Sequence, residues 1–344
     1  MLSLRSSFRW LLVLKDLGAS IFTLLFARLL PTINVPLIDL SDSTAIITGA
    51  NSGVGKSLCL ELAKRNATVY LACRNVAKGQ EVASEIIDAC GEASSKRIHV
   101  VELDTSSLAS VRAFAKSWSS KQLNILIHNA GIAAIPSGGS ETTPEGLGTI
   151  YATNFAGAYL LTSLLEPCMT GDARVVFTSS VGQYAADYNR ILRLPGQLPS
   201  KDKQQSSPAP DSGFYADSKF MQVVFVHLLQ RRFDSQPEHR IAHAFSPGYS
   251  NTGIFEKTPS VPWWMDVPLW SLKAARVLCQ SPEQGAAPGL WLATTTDENV
   301  VGKGNGGAYW ERCTRRRTKL DVLPESALTK MWKIWERDTG AAWQ

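Results

Sequence analysis

The sequence predicts an α/β fold: a single doubly wound domain with a central parallel sheet of about seven strands and helices on both faces. Three observations carry that expectation. From residue 45 onward, short apolar runs alternate with longer stretches of helical periodicity, the pattern of a parallel sheet covered on both sides. The first of these runs, Ala45-Ile46-Ile47, leads into a glycine-rich turn, Thr48-Gly49-Ala50-Asn51-Ser52-Gly53-Val54-Gly55, which opens a helical segment. No internal repeat, and no boundary that would cut off a second core, interrupts the rhythm.

The composition is that of a globular chain with ample material for a core: 344 residues, 44% hydrophobic and 19% charged. The net charge of +5 is mild and clustered, most densely at Arg312, Arg315, Arg316, Arg317 and Lys319. A solvated surface is the plain reading of that cluster, and contact with an anionic membrane the sharper one; no nucleic-acid partner is expected. The six cysteines form no C-x-x-C pair and read as reduced thiols, which suits a cytosol-facing protein. The five histidines show no ligand spacing, so no metal site is predicted.

Residues 1–38 form an apolar N-terminal segment. Residues 10–30 approach the ~20 residues of a bilayer span, but Lys15 and Asp16 interrupt them and Arg28 closes them. Three readings stand: an uncleaved membrane anchor or interfacial helix, a packing arm on the domain, and a cleaved signal. An anchor implies membrane contact through residues 10–30, at the endoplasmic reticulum or a lipid droplet; an arm leaves the protein soluble in the cytoplasm. The main domain is expected over 39–311. Its strands are read at Ala45–Ile47, Thr68–Ala72, His99–Asp104, Leu123–Ile127, Arg174–Thr178, Ile241–Phe245 and Ala308–Trp310. Residues 185–213 hold four prolines among lysine, glutamine and serine, and read as a long polar insertion: a surface loop or a substrate-side wall. Residues 254–272 pack Trp263, Trp264, Met265 and Trp270 between prolines and read as a substrate lid. Residues 312–344 read as a basic tail with a short helix.

Four features follow strands, at the sheet edge where ligands bind in such folds: the glycine turn, Asn129-Ala130-Gly131, Ser180, and Pro247-Gly248. Between the last two lies Tyr215-Ala216-Asp217-Ser218-Lys219. A tyrosine and a lysine four apart share one helix face. An ammonium near a phenol favours the phenolate and should draw its pKa down from about 10, making it a general acid or base at neutral pH. Alone, such a pair is as readily a surface contact; after a phosphate-cradling turn and a strand-end Ser179-Ser180, it points to chemistry.

With these residues in place, the chain resembles the short-chain dehydrogenase/reductases over roughly residues 40–310. The motifs are Thr48–Gly55, His128–Gly131, Asn154, Ser180, Tyr215-x-x-x-Lys219 and Pro247-Gly248, and the texture around them is similar to the retinol-dehydrogenase-like branch. The resemblance implies a Rossmann-type domain in which Tyr215 exchanges a proton with the substrate oxygen. Lys219 would support Tyr215 and hold the nicotinamide ribose, Ser180 would position the substrate, and Asn154 would hold a relay water. Gly49, Asn51, Ser52, Gly53, Val54 and Gly55 would cradle the pyrophosphate; Asp104 would meet the adenine, Asn129 the adenosine ribose, and Thr252, beyond Pro247 and Gly248, the carboxamide.

An acid at the end of the second strand would select NAD by bonding the ribose 2′-hydroxyl. Here that site reads Cys73-Arg74-Asn75, with a guanidinium suited to a 2′-phosphate, so NADP(H) is expected. Ser180 and Tyr215 stand 35 positions apart, so the insertion hangs beside the site and, with the tryptophan-rich lid, would frame an apolar pocket. The expected function is an NADP-dependent interconversion of alcohol and ketone or aldehyde on a lipophilic small molecule; a homodimer is left open. Two other readings were weighed. A sugar-nucleotide epimerase or dehydratase also uses the tyrosine–lysine pair but differs in glycine spacing. A non-catalytic dinucleotide-binding scaffold would tend to have lost the serine, tyrosine or lysine.

Overall fold

A computed structural model describes residues 2–118, 121–136, 138–193, 211–248 and 280–343. Eight strands form one sheet in the order β3-β2-β1-β4-β5-β6-β7-β8: β1 (Thr44–Thr48), β2 (Thr68–Cys73), β3 (Ile98–Glu102), β4 (Leu123–His128), β5 (Met169–Thr178), β6 (Ile241–Ser246), β7 (Ala308–Glu311) and β8 (Thr314–Arg316). The first seven run parallel and correspond to the seven read from the sequence. The eighth is antiparallel to β7, reached through a tight turn in which Arg312 and Cys313 both take positive φ. It was not foreseen because Thr314-Arg315-Arg316 carries no apolar signal; an edge strand with basic side chains needs none.

Alternation within the strands builds a core on each face. Ile46 faces one cluster while Ala45 and Ile47 face the other, because successive side chains on a strand point to opposite sides. One face is covered by α2 (Gly53–Lys64), α3 (Val76–Cys90) and the helix Pro282–Thr294. The other is covered by α4 (Leu108–Trp118), a long helix over 149–165, and the helix Asp211–Asp234. The C-terminal helix Glu325–Thr339 joins this second face. Its Leu328, Met331, Ile334 and Trp335 are buried, and Trp335 packs 4.6 Å from Phe155 between ring centroids. Residues 312–344, set apart as a tail in the sequence reading, thus supply both a strand and part of the core.

The strand order reverses between β1 and β4, which opens a crevice beyond their C-terminal ends. Thr48, Cys73, His128, Thr178 and Ser246 all end strands on that edge. The insertion begins as a docked element. The short helix Tyr188–Arg193 is tied to the tyrosine–lysine helix, with Asp217 accepting from the Asp187 amide at 2.8 Å and pairing with the Arg190 guanidinium. Residues 194–210 of the insertion, Thr252 and the lid at 254–272 lie outside the described residues.

Candidate active site

The glycine turn is shaped by contacts no other residue would permit. Gly49 sits at φ +65° with the Ala130 Cα only 2.8 Å from where its Cβ would be, and Gly53 enters α2 at φ +51°. A Cβ on Gly55 would fall against the Gly49 carbonyl oxygen and 2.5 Å from Asn129 Nδ2. Asn51, Ser52 and Val54 complete the turn. Ser52 precedes α2 in extended conformation, and no side chain caps the helix, so its first amides keep their donors for a ligand. This uncapped N-terminus above a side-chain-free cradle fits a dinucleotide pyrophosphate. Gly55→Ala is therefore expected to weaken dinucleotide binding at least tenfold and to cost roughly 1–3 kcal/mol of stability, since the crowding is against backbone. Cofactor titration and thermal unfolding of the variant check both.

Asn129, expected at the adenosine ribose, braces this cradle. Its Nδ2 donates to the Thr48 and Gly49 carbonyls at 3.1 Å each, and its amide donates to Thr48 Oγ1 at 3.0 Å. At the far end of the crevice the Arg74 guanidinium is mostly exposed, 3.9 Å from Asp104. The Asp104 carboxylate accepts from the Ser106 amide and hydroxyl at 2.9 and 2.6 Å, and so is fixed where β3 ends. The guanidinium thus lies over the Asp104 carboxylate with most of its surface open to solvent.

On the other side of β4 the catalytic candidates converge. Ser180 and Tyr215 flank Gly182, whose added Cβ would lie 3.4 Å from Ser180 Oγ and 3.5 Å from the Tyr215 ring. Ser180 Oγ accepts from the Gly182 amide at 3.1 Å, which fixes it at the start of the turn after β5. Ser179 is excluded from that place: its hydroxyl turns inward and donates to the Lys219 carbonyl at 2.8 Å. Lys219 is buried with its ammonium 5.5 Å from the Tyr215 ring centroid, and it donates to the Thr178 carbonyl at 2.8 Å. Burial lowers its pKa to about 7.

The expectation that Lys219 draws the phenol's pKa down is not met in the protein as it stands. Burial raises the Tyr215 pKa, and only the neighbouring Ser180 hydroxyl opposes it. The reason is physical: the same desolvation that penalises the phenolate also discharges the lysine meant to stabilise it.

Asn154 lies in a π-helical turn, Ala152–Ala156, that interrupts the long helix. Its side chain accepts from the Ile132 amide at 2.8 Å and donates to the Ile132 carbonyl and to Ser218 Oγ, both at 2.9 Å. Its carbonyl accepts from Gln222 at 2.7 Å. Asn154 thus links the loop after β4 to the tyrosine–lysine helix through its side chain. Ser218, which donates to the Tyr215 carbonyl at 2.7 Å, and Gln222 complete this brace. Neither was read as functional, although their place beside Tyr215 and Lys219 on one helix was a usable signal. His128, in place of a commoner asparagine, is buried and held neutral by a pKa lowered to about 3. Thr162 donates its hydroxyl to Ala158, so the His128 Nε2–H must be the donor in the 2.8 Å contact between them. Pro247 and Gly248 follow β6, with Gly248 at φ +67° and the Pro247 carbonyl accepting from Gln280.

The sheet order and the glycine cradle are those of a doubly wound dinucleotide-binding fold. The short chain dehydrogenase profile matches residues 43–189. Human dehydrogenase/reductase SDR family member 13 is 32% identical over 308 residues, covering 88% of this chain and 74% of its own. Mouse retinol dehydrogenase 12 is 30% identical over 311 residues, 89% of each. A crystal structure of an uncharacterised protein from Mycobacterium paratuberculosis superposes with a TM-score of 0.65 at 26% identity, over 90% of this chain and 97% of that one. The chain belongs to the short-chain dehydrogenase/reductase family.

Proposed function

We propose that the protein is an NADP(H)-dependent oxidoreductase that interconverts an alcohol and an aldehyde or ketone on a lipophilic small molecule. The observation that carries this reading is the convergence of Ser180 and Tyr215 beside Gly182, with Lys219 buried behind the phenol ring, next to a cradle that fits a dinucleotide. When bound, the nicotinamide supplies or accepts the hydride. In the reducing direction Ser180 and Tyr215 donate hydrogen bonds to the substrate carbonyl oxygen. As its carbon gains hydride, the Tyr215 phenol passes its proton to the forming alkoxide, and the resulting phenolate is stabilised by the Lys219 ammonium. Oxidation runs the same steps backwards. The likeness to retinol dehydrogenase 12, together with an apolar N-terminal helix, supports a lipophilic substrate and membrane association.

NADP(H) preference rests on Arg74, a guanidinium at the end of β2 where an acid would select NAD. Arg74→Ala should lower kcat/KM for NADPH by about 10- to 100-fold, the scale of one lost charge-assisted contact, while changing the value for NADH little. An unmodified protein that prefers NADH overturns the cofactor assignment. The function itself is tested by NADPH oxidation against retinoid, steroid and fatty aldehydes or ketones. Turnover of sugar nucleotides in their place would overturn it.

A further inference from the structure

The N-terminal helix α1 (Leu2–Phe26) is sided the wrong way round for a soluble protein. Its inner stripe, buried against the domain at Val13, Asp16, Ser20, Thr23 and the following Ala27, is largely polar or small. These positions fall on one helix face. Its outer face is apolar: Phe8, Leu11, Leu14, Phe22, Leu25 and the adjoining Leu29 are 49–74% exposed. Nine of the twelve exposed large hydrophobic residues among the described ones lie between Phe8 and Leu29. A patch so concentrated marks an interaction surface.

The inner stripe fixes how that surface can be used. Asp16 accepts from the Arg317 amide at 2.9 Å and lies within 3.8 Å of the Arg316 and Arg317 guanidinium groups. Ser20 donates to the buried Glu311 carboxylate at 2.9 Å. Thr23 and Ala27 line a small cavity with Val181, next to the catalytic serine, and with Ser246 and Gly248 at the exit of β6. The helix is therefore held along the domain from Val13 to Ala27. Residues 7–29 are long and apolar enough to cross a bilayer. A crossing would nonetheless strip Asp16 and Ser20 from their partners and leave the buried Glu311 carboxyl with the Tyr309 hydroxyl but without that of Ser20.

We propose that α1 docks flat on the surface of an anionic phospholipid bilayer, its outer face in the boundary between headgroups and acyl chains and its inner stripe fixed to the catalytic domain. Charge selects this occupant over a neutral apolar one. Arg9 and Lys15 are exposed on the helix, and Arg315 and Arg317 are exposed on and just after the strand that Asp16 grips. Because the C-terminal half of α1 stands beside Val181, this pose also brings the mouth of the active site to the membrane. That step rests on the lipophilic-substrate reading above; the docking itself does not.

The test uses the full chain with a genetically encoded nitroxide amino acid at Leu11, Gly18 or Leu25. These three outward positions span about 21 Å of helix at 1.5 Å per residue. With vesicles of phosphatidylcholine and phosphatidylserine, all three labels are expected at one shallow depth. Binding should be about tenfold or more tighter than to phosphatidylcholine alone and should weaken in high salt. Leu14→Glu with Phe22→Glu should reduce vesicle binding at least tenfold and leave NADPH binding unchanged. A depth gradient from Leu11 to Leu25 that resists carbonate extraction would mean a span and overturn the proposal. Labels that stay dry, or that become buried only as a dimer forms, would overturn it equally. Neither readout needs turnover, so a failed carbonyl screen and a failed docking are separate results.

Discussion

Tyr215→Phe is expected to lower kcat by about 10³-fold while leaving NADPH affinity within about twofold, since a positioned general acid contributes roughly 10²–10⁴. The separation follows from the geometry. The ring itself packs on Gly182, whose added Cβ would lie 3.5 Å from it, and under the Lys219 ammonium; phenylalanine keeps both contacts. What it loses is the hydroxyl, the proton source beside Ser180. Burial raises the phenol's pKa, so the proton is present at neutral pH and is the one available for transfer to an alkoxide. Ser180→Ala removes a donor but no proton source and should cost less, about 10- to 100-fold. Stopped-flow hydride transfer and NADPH fluorescence titration on the same preparations distinguish the two effects. Turnover within about tenfold of the parent in Tyr215→Phe would remove the tyrosine from the mechanism.

Much of this was legible before any coordinates. The parallel strands announced themselves as apolar runs, most of them buried on both faces and β3 at the sheet edge only in part, and the cradle because Gly49, Gly53 and Gly55 each meet a constraint that favours glycine. What escaped was whatever depends on direction. Residue chemistry alone does not separate Ser179 from Ser180; the resemblance selects Ser180, and the inward turn of the Ser179 hydroxyl onto the Lys219 carbonyl is seen only in the structure. Asn154 enters through resemblance, and nothing in the residues around it signals the π-helical turn that aims its side-chain amide at the loop after β4. The proximity of Lys219 to Tyr215 was readable from their spacing, whereas the sign of the phenol's shift was not, because burial is a property of everything packed around it. The N-terminal helix was ambiguous for the same reason. Its hydrophobicity is visible in the residues, and which face turns inward is visible only in the contacts of Asp16 and Ser20.

Lys219→Met is expected to do two opposite things. It should cut kcat/KM by about 10³-fold, because the phenolate left after proton transfer loses the cation behind it and the lysine's place toward the nicotinamide ribose is vacated. In the cofactor-free protein it should also change how stability depends on pH. The Lys219 pKa is lowered to about 7 in the folded state, against about 10.4 for an unfolded lysine. Below pH 7 both states are protonated, and the native state bears the full penalty of a buried charge. Between about pH 7 and 10.4 the unfolded chain binds a proton that the native one does not, so parental stability rises with pH across that window. Methionine has no such penalty to relieve. It loses the bond to the Thr178 carbonyl at every pH, so the sign of its effect at one pH is not diagnostic, but the trend is. Relative to the parent, the variant's Tm should be highest near pH 6 and fall by several degrees or more toward pH 10, since about three pKa units correspond to roughly 4 kcal/mol. Calorimetry at about pH 6, 8 and 10 reads the slope directly. A Tm difference that stays flat across the series would mean that Lys219 keeps its proton throughout, held as a cation by the carbonyl above it and not discharged by burial.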